Sequence, residues 1–465
     1  MTDSSVLSVT TKIKRIRKIG EFMGASLATD GSDRKKVLYT SLIFMGLGHI
    51  VRLKEWVKGA FFALIEVIFI CFLPLIFTKL YDLVNIGVDQ THIADASQRK
   101  MSTFMMIDGF IAIAFIAIFA VIYYISVRSA LHSYDEYCVN GQFADNRDAL
   151  HGIAGKAFPI VGLAPALALI IFFVIVPLIF AAASGFTNWS NPDHIPPGSS
   201  VNWVGLENYI DMFGGDATWA SSFGRIALWT LIWGACATGT SYFAGMVMAV
   251  ILNEAKIKIK PLFRAIFILP YAIPSILSMM VWKNLLNGSN GTVNRTLRAI
   301  GILDQGEAIG WLSDSNMARF TCILINLWQG FPYFMMLIAG QMTAISADIF
   351  EAAAIDGANK VQIFKSITLP MVLYQTIPLI IMSFTFNINN FGVIFFLTGG
   401  APTVNSTTTT KAGATDIIVT WIYKLTMDDM NYKYASVLAM VVFVVLTPFA
   451  IFNFKNTKSF KEGEL

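Results

Sequence analysis

The chain has 465 residues, 55% of them hydrophobic and only 14% charged, with a formal net charge of +4 and a mean hydropathy of +0.62. A soluble domain carries roughly 25% charged residues, so this balance excludes one and indicates an integral membrane protein. The charge is too small to argue for a nucleic-acid partner, the four cysteines follow no metal-ligand spacing, and the polar, basic N-terminal stretch does not read as a cleavable signal peptide.

The first element is a basic arm, residues 1–58, carrying Lys12, Lys14, Arg15, Arg17, Lys18, Arg34, Lys35 and Lys36. Apolar runs at 59–77 and 104–127 follow, and with the arm they set off an accessory region, 59–150, of two spans. Six more runs lie at 158–183, 226–252, 265–282, 320–342, 371–397 and 435–454, within a core of 151–455, before a short tail at 456–465. Each run meets the roughly 17–25 residues that a spanning helix needs, or slightly exceeds it. Lys and Arg cluster in the arm, in the loop after the fourth run (Lys256, Lys258, Lys260, Arg264) and in the tail (Lys455, Lys458, Lys461), whereas 184–224 has none. The positive-inside rule therefore puts both termini in the cytoplasm and the loop 184–224 outside. Glu66 and Asp108, inside or near the first two spans, read as an ion site, a helix–helix hydrogen bond or an interfacial position.

Several chemistries are missing. The sequence has no G-x-x-x-x-G-K-[ST] phosphate loop and no H-E-x-x-H, and its histidines (His49, His92, His132, His151, His194) are scattered outside the spans. No carboxylate sits mid-span in the last six runs, where ion-coupled transport would need one. A channel or permease that draws its energy from another subunit fits this pattern, and no catalytic or metal-binding residue is assigned.

Two stripes interrupt the apolar runs. Ser383, Phe386, Asn387 and Asn390 are spaced i, i+3, i+4, i+7, and so are Asn326, Gln329, Gly330 and Tyr333. On a helix each set shares one face. A polar face in a membrane must meet protein, water or a ligand, so each stripe is either a binding wall or interhelical glue. Asn389 falls off the stripe and reads as structural. Gly330 with Pro332 suggests a break or a close ligand approach, and Pro270 with Pro274 suggests a kinked gate or a packing kink in the fifth span. Between the sixth and seventh runs, 345–370 reads as a compact helix–turn–helix. Ser346 is its N-cap, alanines 352–354 are strong helix formers, Gly357 suits a left-handed turn, and a second helix spans 360–367.

Glu351-Ala352-Ala353, then Asp356-Gly357-Ala358, then Ile367, Leu369 and Pro370 resemble the EAA loop of ABC importer permeases. The stretches 203–209 (WVGLENY), 268–275 (ILPYAIPS) and 326–402 are similar to the MalF-type permease of maltose/maltodextrin importers. The likeness runs from 158 to the C-terminus and is weaker in the first two spans. It implies an all-α, polytopic membrane protein with eight transmembrane helices and the type I importer permease fold, which agrees with the run count. It also implies a sugar site at Asn326, Gly330, Tyr333, Ser383, Phe386, Asn387 and Asn390, and ATPase coupling through Glu351, Ala352, Ala353, Asp356, Gly357 and Ala358. The implied partners are a second permease subunit, a cytoplasmic ATPase dimer that alone binds ATP and Mg²⁺, and an extracellular sugar-binding protein. The loop 184–224 is far shorter than the large domain of enterobacterial members, and Gln329 stands where leucine is more familiar. Gln329 keeps a galacto- or gluco-oligosaccharide open as the substrate beside maltodextrin. The EAA loop and the missing carboxylates speak against a secondary transporter or a scaffold.

Overall fold

In the computed structural model, residues 31–88, 93, 99–141, 143, 158–196, 198–254 and 259–456 are described. The arm's cations before residue 31, Lys256, Lys258, Lys458, Lys461, His92 and His151 lie outside them. The described residues form helices and two isolated β-bridges, with no strand. Among the described residues, seven helices are long and apolar enough to cross a membrane, and one bent pair makes an eighth if it counts as a single span, in agreement with the eight apolar runs. The chain divides into two compact units, 1–180 and 181–465, so the division falls inside the third span rather than at 151.

The first unit holds α1 (Gly31–Ile43), α2 (Leu47–Val51), α3 (Trp56–Val84), α4 (Ser102–Asn140) and α5 (Phe158–Ile170). From α5 a π-helical turn, Ile171–Ile175, leads into α6 (Val176–Ser184). Helices α3 and α4 pair through the stacked rings of Phe69 and Phe119, 3.8 Å apart, and through a Lys79–Asp108 ion pair at 2.7 Å. Glu66 accepts from the Met45 N–H. Asp108 thus makes a contact between two helices, and Glu66 holds the turn between α1 and α2. Arg34 ties α1 to Asp135 of α4 at 3.0 Å. Beneath α3, fully buried His49 lies 3.8 Å from Glu55, which also takes the Lys58 ammonium at 2.8 Å.

The second unit is built on α8 (Ala217–Glu254), which follows a short α7 (Glu207–Ile210). Its main partner is α12 (Ser315–Thr343), started by Asp314, whose carboxylate accepts from the Asn316 and Met317 N–H groups. The two helices approach closely at two glycines. A Cβ on Gly245 would lie 2.8 Å from the Phe331 carbonyl, and one on Gly330 would lie 2.8 Å from Ser241 Oγ. Tyr242, Met246, Phe334, Met335 and Ile338 fill the seam. Helix α12 runs unbroken past Pro332, so of the two readings at Gly330 and Pro332 the break does not occur.

Two other spans are broken. Helices α9 (Lys260–Ala272) and α10 (Ser275–Leu285) meet at 87° across Ile273 and Pro274. Pro274 has no N–H and fixes its own φ at −53°, which ends one helix and starts the next. The seventh run is a helix only to Asn389; Asn390 is extended (φ −89°, ψ 104°). After α11 (Thr292–Ala299), α13 (Ala347–Ile355) and α14 (Lys360–Ile363), that run comprises α15 (Leu369–Asn389) and α16 (Gly392–Thr398). Helices α17 (Ile418–Met427) and α18 (Tyr432–Asn456) complete the chain.

The loops after the third and seventh spans of the chain are folded rather than loose. Arg225 donates to the carbonyls of Gly413 (2.7 Å) and Ala412 (3.0 Å), Arg319 to Ala414 (2.9 Å), and Trp229 Nε1 to Thr415 (3.0 Å). Buried Asp416 takes the Gly413 N–H, the Thr420 hydroxyl and the Lys424 ammonium. The loop 185–206 is fastened by Asn208 Nδ2 to the carbonyls of Gly185 and Thr187, and by the stacking of Trp189 on Tyr432 at 4.2 Å.

Candidate functional site

Helices α8, α12 and α15 and the α9–α10 break enclose a cavity of about 700 Å³. All seven residues assigned to the sugar site line it: Asn326, Gly330 and Tyr333 from α12, Ser383, Phe386 and Asn387 from α15, and Asn390 just past its end. Asn389 is exposed and does not line it, as its off-stripe position implies. The geometry also adds residues that the stripes did not reveal. Tyr271, Ala272, Ile273, Pro274 and Ser275 bring the break into the wall, and Ser241 brings in α8. The paired prolines were the signal for the break. Ser241 is one hydroxyl in an apolar run and left no pattern.

The polar groups are not equivalent. Asn326 Nδ2 donates to the Ala237 carbonyl (3.3 Å) and Ser241 Oγ (3.5 Å), and Asn387 Nδ2 to Thr238 Oγ1 (2.9 Å) and Ser383 Oγ (3.5 Å). Both asparagines thus fasten their NH₂ groups largely to α8, and neither amide oxygen is bonded to a described residue. Asn390 is the reverse: its Oδ1 accepts from the Gly392 N–H at 3.0 Å, and its Nδ2 has no partner among the described residues. Gln329 Oε1 accepts from Ser275 Oγ at 3.3 Å, and its Nε2 has no partner among the described residues. The glue and binding-wall readings therefore describe two ends of the same side chains. Gly330 serves the close approach of α8 as well as the wall.

Aromatic faces complete the lining. Phe386 is 64% exposed, and Tyr333 lies 6.0 Å from Tyr271 at 33° between ring planes. No Asp, Glu, Lys, Arg or His is among the residues that line the cavity. Amides and hydroxyls with aromatic faces, without formal charge, suit a neutral polyol, whose hydroxyls donate and accept and whose CH faces are apolar.

A second candidate site is the loop between α12 and α15. Ser346 Oγ caps α13 by accepting from the Asp348 N–H at 3.3 Å. The helix ends in a Schellman turn: Ala358 N–H donates to the Ala353 carbonyl and Gly357 N–H to Ala354, with Gly357 at φ +80°. The second helix is shorter than expected. It covers Lys360–Ile363, opens with a reciprocal Asn359–Gln362 capping box, and passes into a π-helical turn, Phe364–Thr368. Glu351, Ala352, Asp356 and Gly357 are exposed, Ala353 and Ala358 half-buried, and Ile355 is 86% exposed.

Comparison with known proteins places residues 241–455 in the family described as binding-protein-dependent transport system inner membrane component. The chain is 34% identical to the galactooligosaccharides transport system permease protein GanP of Bacillus subtilis, over 92% of this chain and 99% of that one. It is 32% identical to the maltodextrin transport system permease protein MalC of Streptococcus pneumoniae, over 90% and 95%. Among solved structures, a bacterial ABC transporter involved in import of the acidic polysaccharide alginate superposes with a TM-score of 0.53 at 21% identity, covering 67% of this chain and 100% of that one.

Proposed function

Because the chain belongs to the family of binding-protein-dependent transport inner-membrane components, we propose that it conducts neutral oligosaccharides, maltodextrins first among them, through an ATP-driven importer. It is a multi-pass membrane protein and an ABC importer permease, a transport component rather than an enzyme. Such a permease works with a partner permease, an ATPase and a binding protein. In this reading the partner permease makes a heterodimer, the ATPase is a cytoplasmic dimer that binds the ATP and Mg²⁺, and both termini of this chain are cytoplasmic.

The observation that carries the reading is the uncharged, amide- and aromatic-lined cavity at the broken fifth span, in which all seven assigned residues meet. Cargo sites built where spanning helices break are a recurring arrangement in transporters. Closure of the ATPase dimer moves the exposed loop around Glu351–Gly357, and the spans alternate between states that differ in affinity for the sugar. Without that difference a ligand shifts no equilibrium. The break at Pro274 supplies the gate.

A second substrate reading, galacto-oligosaccharide, is favoured by the likeness to GanP along nearly the whole chain. One experiment tests both. The four-component complex is reconstituted, and ATP hydrolysis and uptake are measured with maltodextrins and galacto-oligosaccharides. Stimulation by a maltodextrin supports the first reading and stimulation by galacto-oligosaccharides alone the second. Stimulation by neither would sink the oligosaccharide assignment.

A further inference from the structure

The four amides of the cavity differ in how firmly their polarity is set. Asn387, like Gln329, meets only hydroxyls (Thr238 Oγ1 and Ser383 Oγ), but it is buried against α8, whereas Gln329 is half-buried beside the break. Asn326 meets the Ala237 carbonyl, which can only accept, so its NH₂ must point there and its oxygen toward the cavity. Asn390 meets the Gly392 N–H, which can only donate, so its oxygen is fixed and its NH₂ is presented. Gln329 meets a hydroxyl, Ser275 Oγ at 3.3 Å. A hydroxyl both donates and accepts, so the carboxamide can turn over while Ser275 rotates to keep the bond. Ser275 is the first helical residue after the 87° break, and Gln329 adjoins Gly330 one turn from Asn326 and Tyr333. The pair thus joins the break to the polar stripe in the cavity wall.

We propose that Gln329 and Ser275 form a polarity-adaptable pair that widens the range of oligosaccharides this cavity accepts, Gln329 being the specificity-determining residue. The inference rests on the oligosaccharide reading above. Ring and glycosidic oxygens only accept, and a hydroxyl that has given its proton to one neighbour can only accept from the next. Sugars that differ in configuration or linkage therefore set a hydroxyl that can donate in one case, and an acceptor-only oxygen in the other, at the same point of the wall. The fixed carbonyl of Asn326 and the fixed NH₂ of Asn390 answer one arrangement; Gln329 answers either. Without it, the sugar that suits the fixed groups loses little, and one of different configuration or linkage loses a hydrogen bond.

The test compares maltotriose with β-1,4-galactotriose in the reconstituted full complex, as KM and kcat for uptake. Wild type is expected to take both. Gln329→Met, close in size and without the amide, is expected to raise KM for the less favoured sugar about threefold to tenfold more than for the favoured one, with kcat changing less. Ser275→Ala leaves the amide without its rotating partner and is expected to move the same KM ratio in the same direction by about twofold. It decides the matter if the methionine variant does not assemble. An unchanged or reduced KM ratio overturns the inference while wild-type uptake leaves the functional reading intact. A wild-type site that takes one sugar alone also overturns it, and uptake of neither removes both.

Discussion

Asn387 holds α8 with one end and faces the cavity with the other, and its two roles can be separated by a double-mutant cycle with Thr238. The Asn387 side chain is 8% exposed and Thr238 3%, and the 2.9 Å bond between them is the one hydrogen bond described for the Thr238 side chain. Interhelical side-chain hydrogen bonds in membrane proteins average about 0.6 kcal/mol and reach about 1.7. Asn387→Ala and Thr238→Val should each lower the thermal stability of the purified complex by about that much. The double variant should fall short of the sum by about 0.6–1.7 kcal/mol, because the bond can be lost only once. Uptake should behave differently. Thr238 does not line the cavity, so Thr238→Val should keep transport within about twofold. Asn387→Ala also loses the oxygen offered to the sugar, a further ~0.5–1.5 kcal/mol, and should lower kcat/KM by about threefold to tenfold. Equal loss of transport in Asn387→Ala and Thr238→Val would refute the reasoning, since Asn387 would then act through packing alone.

Gly357→Val should uncouple ATP hydrolysis from uptake while membrane insertion survives. Nothing lies within 4 Å of an added Cβ, so the strain is that of φ +80° alone, about 1–2 kcal/mol, and Gly357→Asn should be milder. Wild-type coupling in the valine variant would remove this turn from the mechanism. In a cysteine-free background, exposed Glu207→Cys should react with an impermeant thiol reagent in intact cells and exposed Ser346→Cys should not; the reverse pattern overturns the orientation. Burial holds the His49 imidazole down at about 4 from an ordinary 6.5, against a smaller opposing pull from Glu55. The unfolded chain therefore binds the proton first, and stability should fall as pH drops from about 6.5 to about 4, by up to the order of 3 kcal/mol. A pH titration of thermal stability should show that slope in wild type and flatten in His49→Phe; a flat wild-type profile contradicts it.

The spans were legible because length and hydropathy are local properties. The stripe spacing found Asn326, Gly330, Tyr333, Ser383, Phe386 and Asn387 for the same reason: each lies on a helix whose period sets its face. Asn390 reached the cavity by another route. The helix ends before it, and its extended backbone carries the side chain to the wall. The direction of each amide could not be read in advance, because Ala237, Thr238 and Ser275 sit on other helices far along the chain. Pro332 and Pro274 show the limit most clearly. Both are prolines in apolar runs, yet one sits in a continuous helix and the other turns its span through 87°.

That turn carries a consequence for how cargo enters. Pro274 has no N–H to offer the carbonyl of Pro270, and Ser275, Gln329 and Asn390 bring polar groups to the wall beside the break. A backbone acceptor left open inside a bilayer needs water when nothing else is present. The polar groups of that wall that lack a protein partner draw water for the same reason, so an arriving sugar hydroxyl displaces solvent that was already bonded. Exchange of like for like gives little net attraction. The sugar is held for passage, not for storage, and a chamber that gripped it harder would deliver it more slowly.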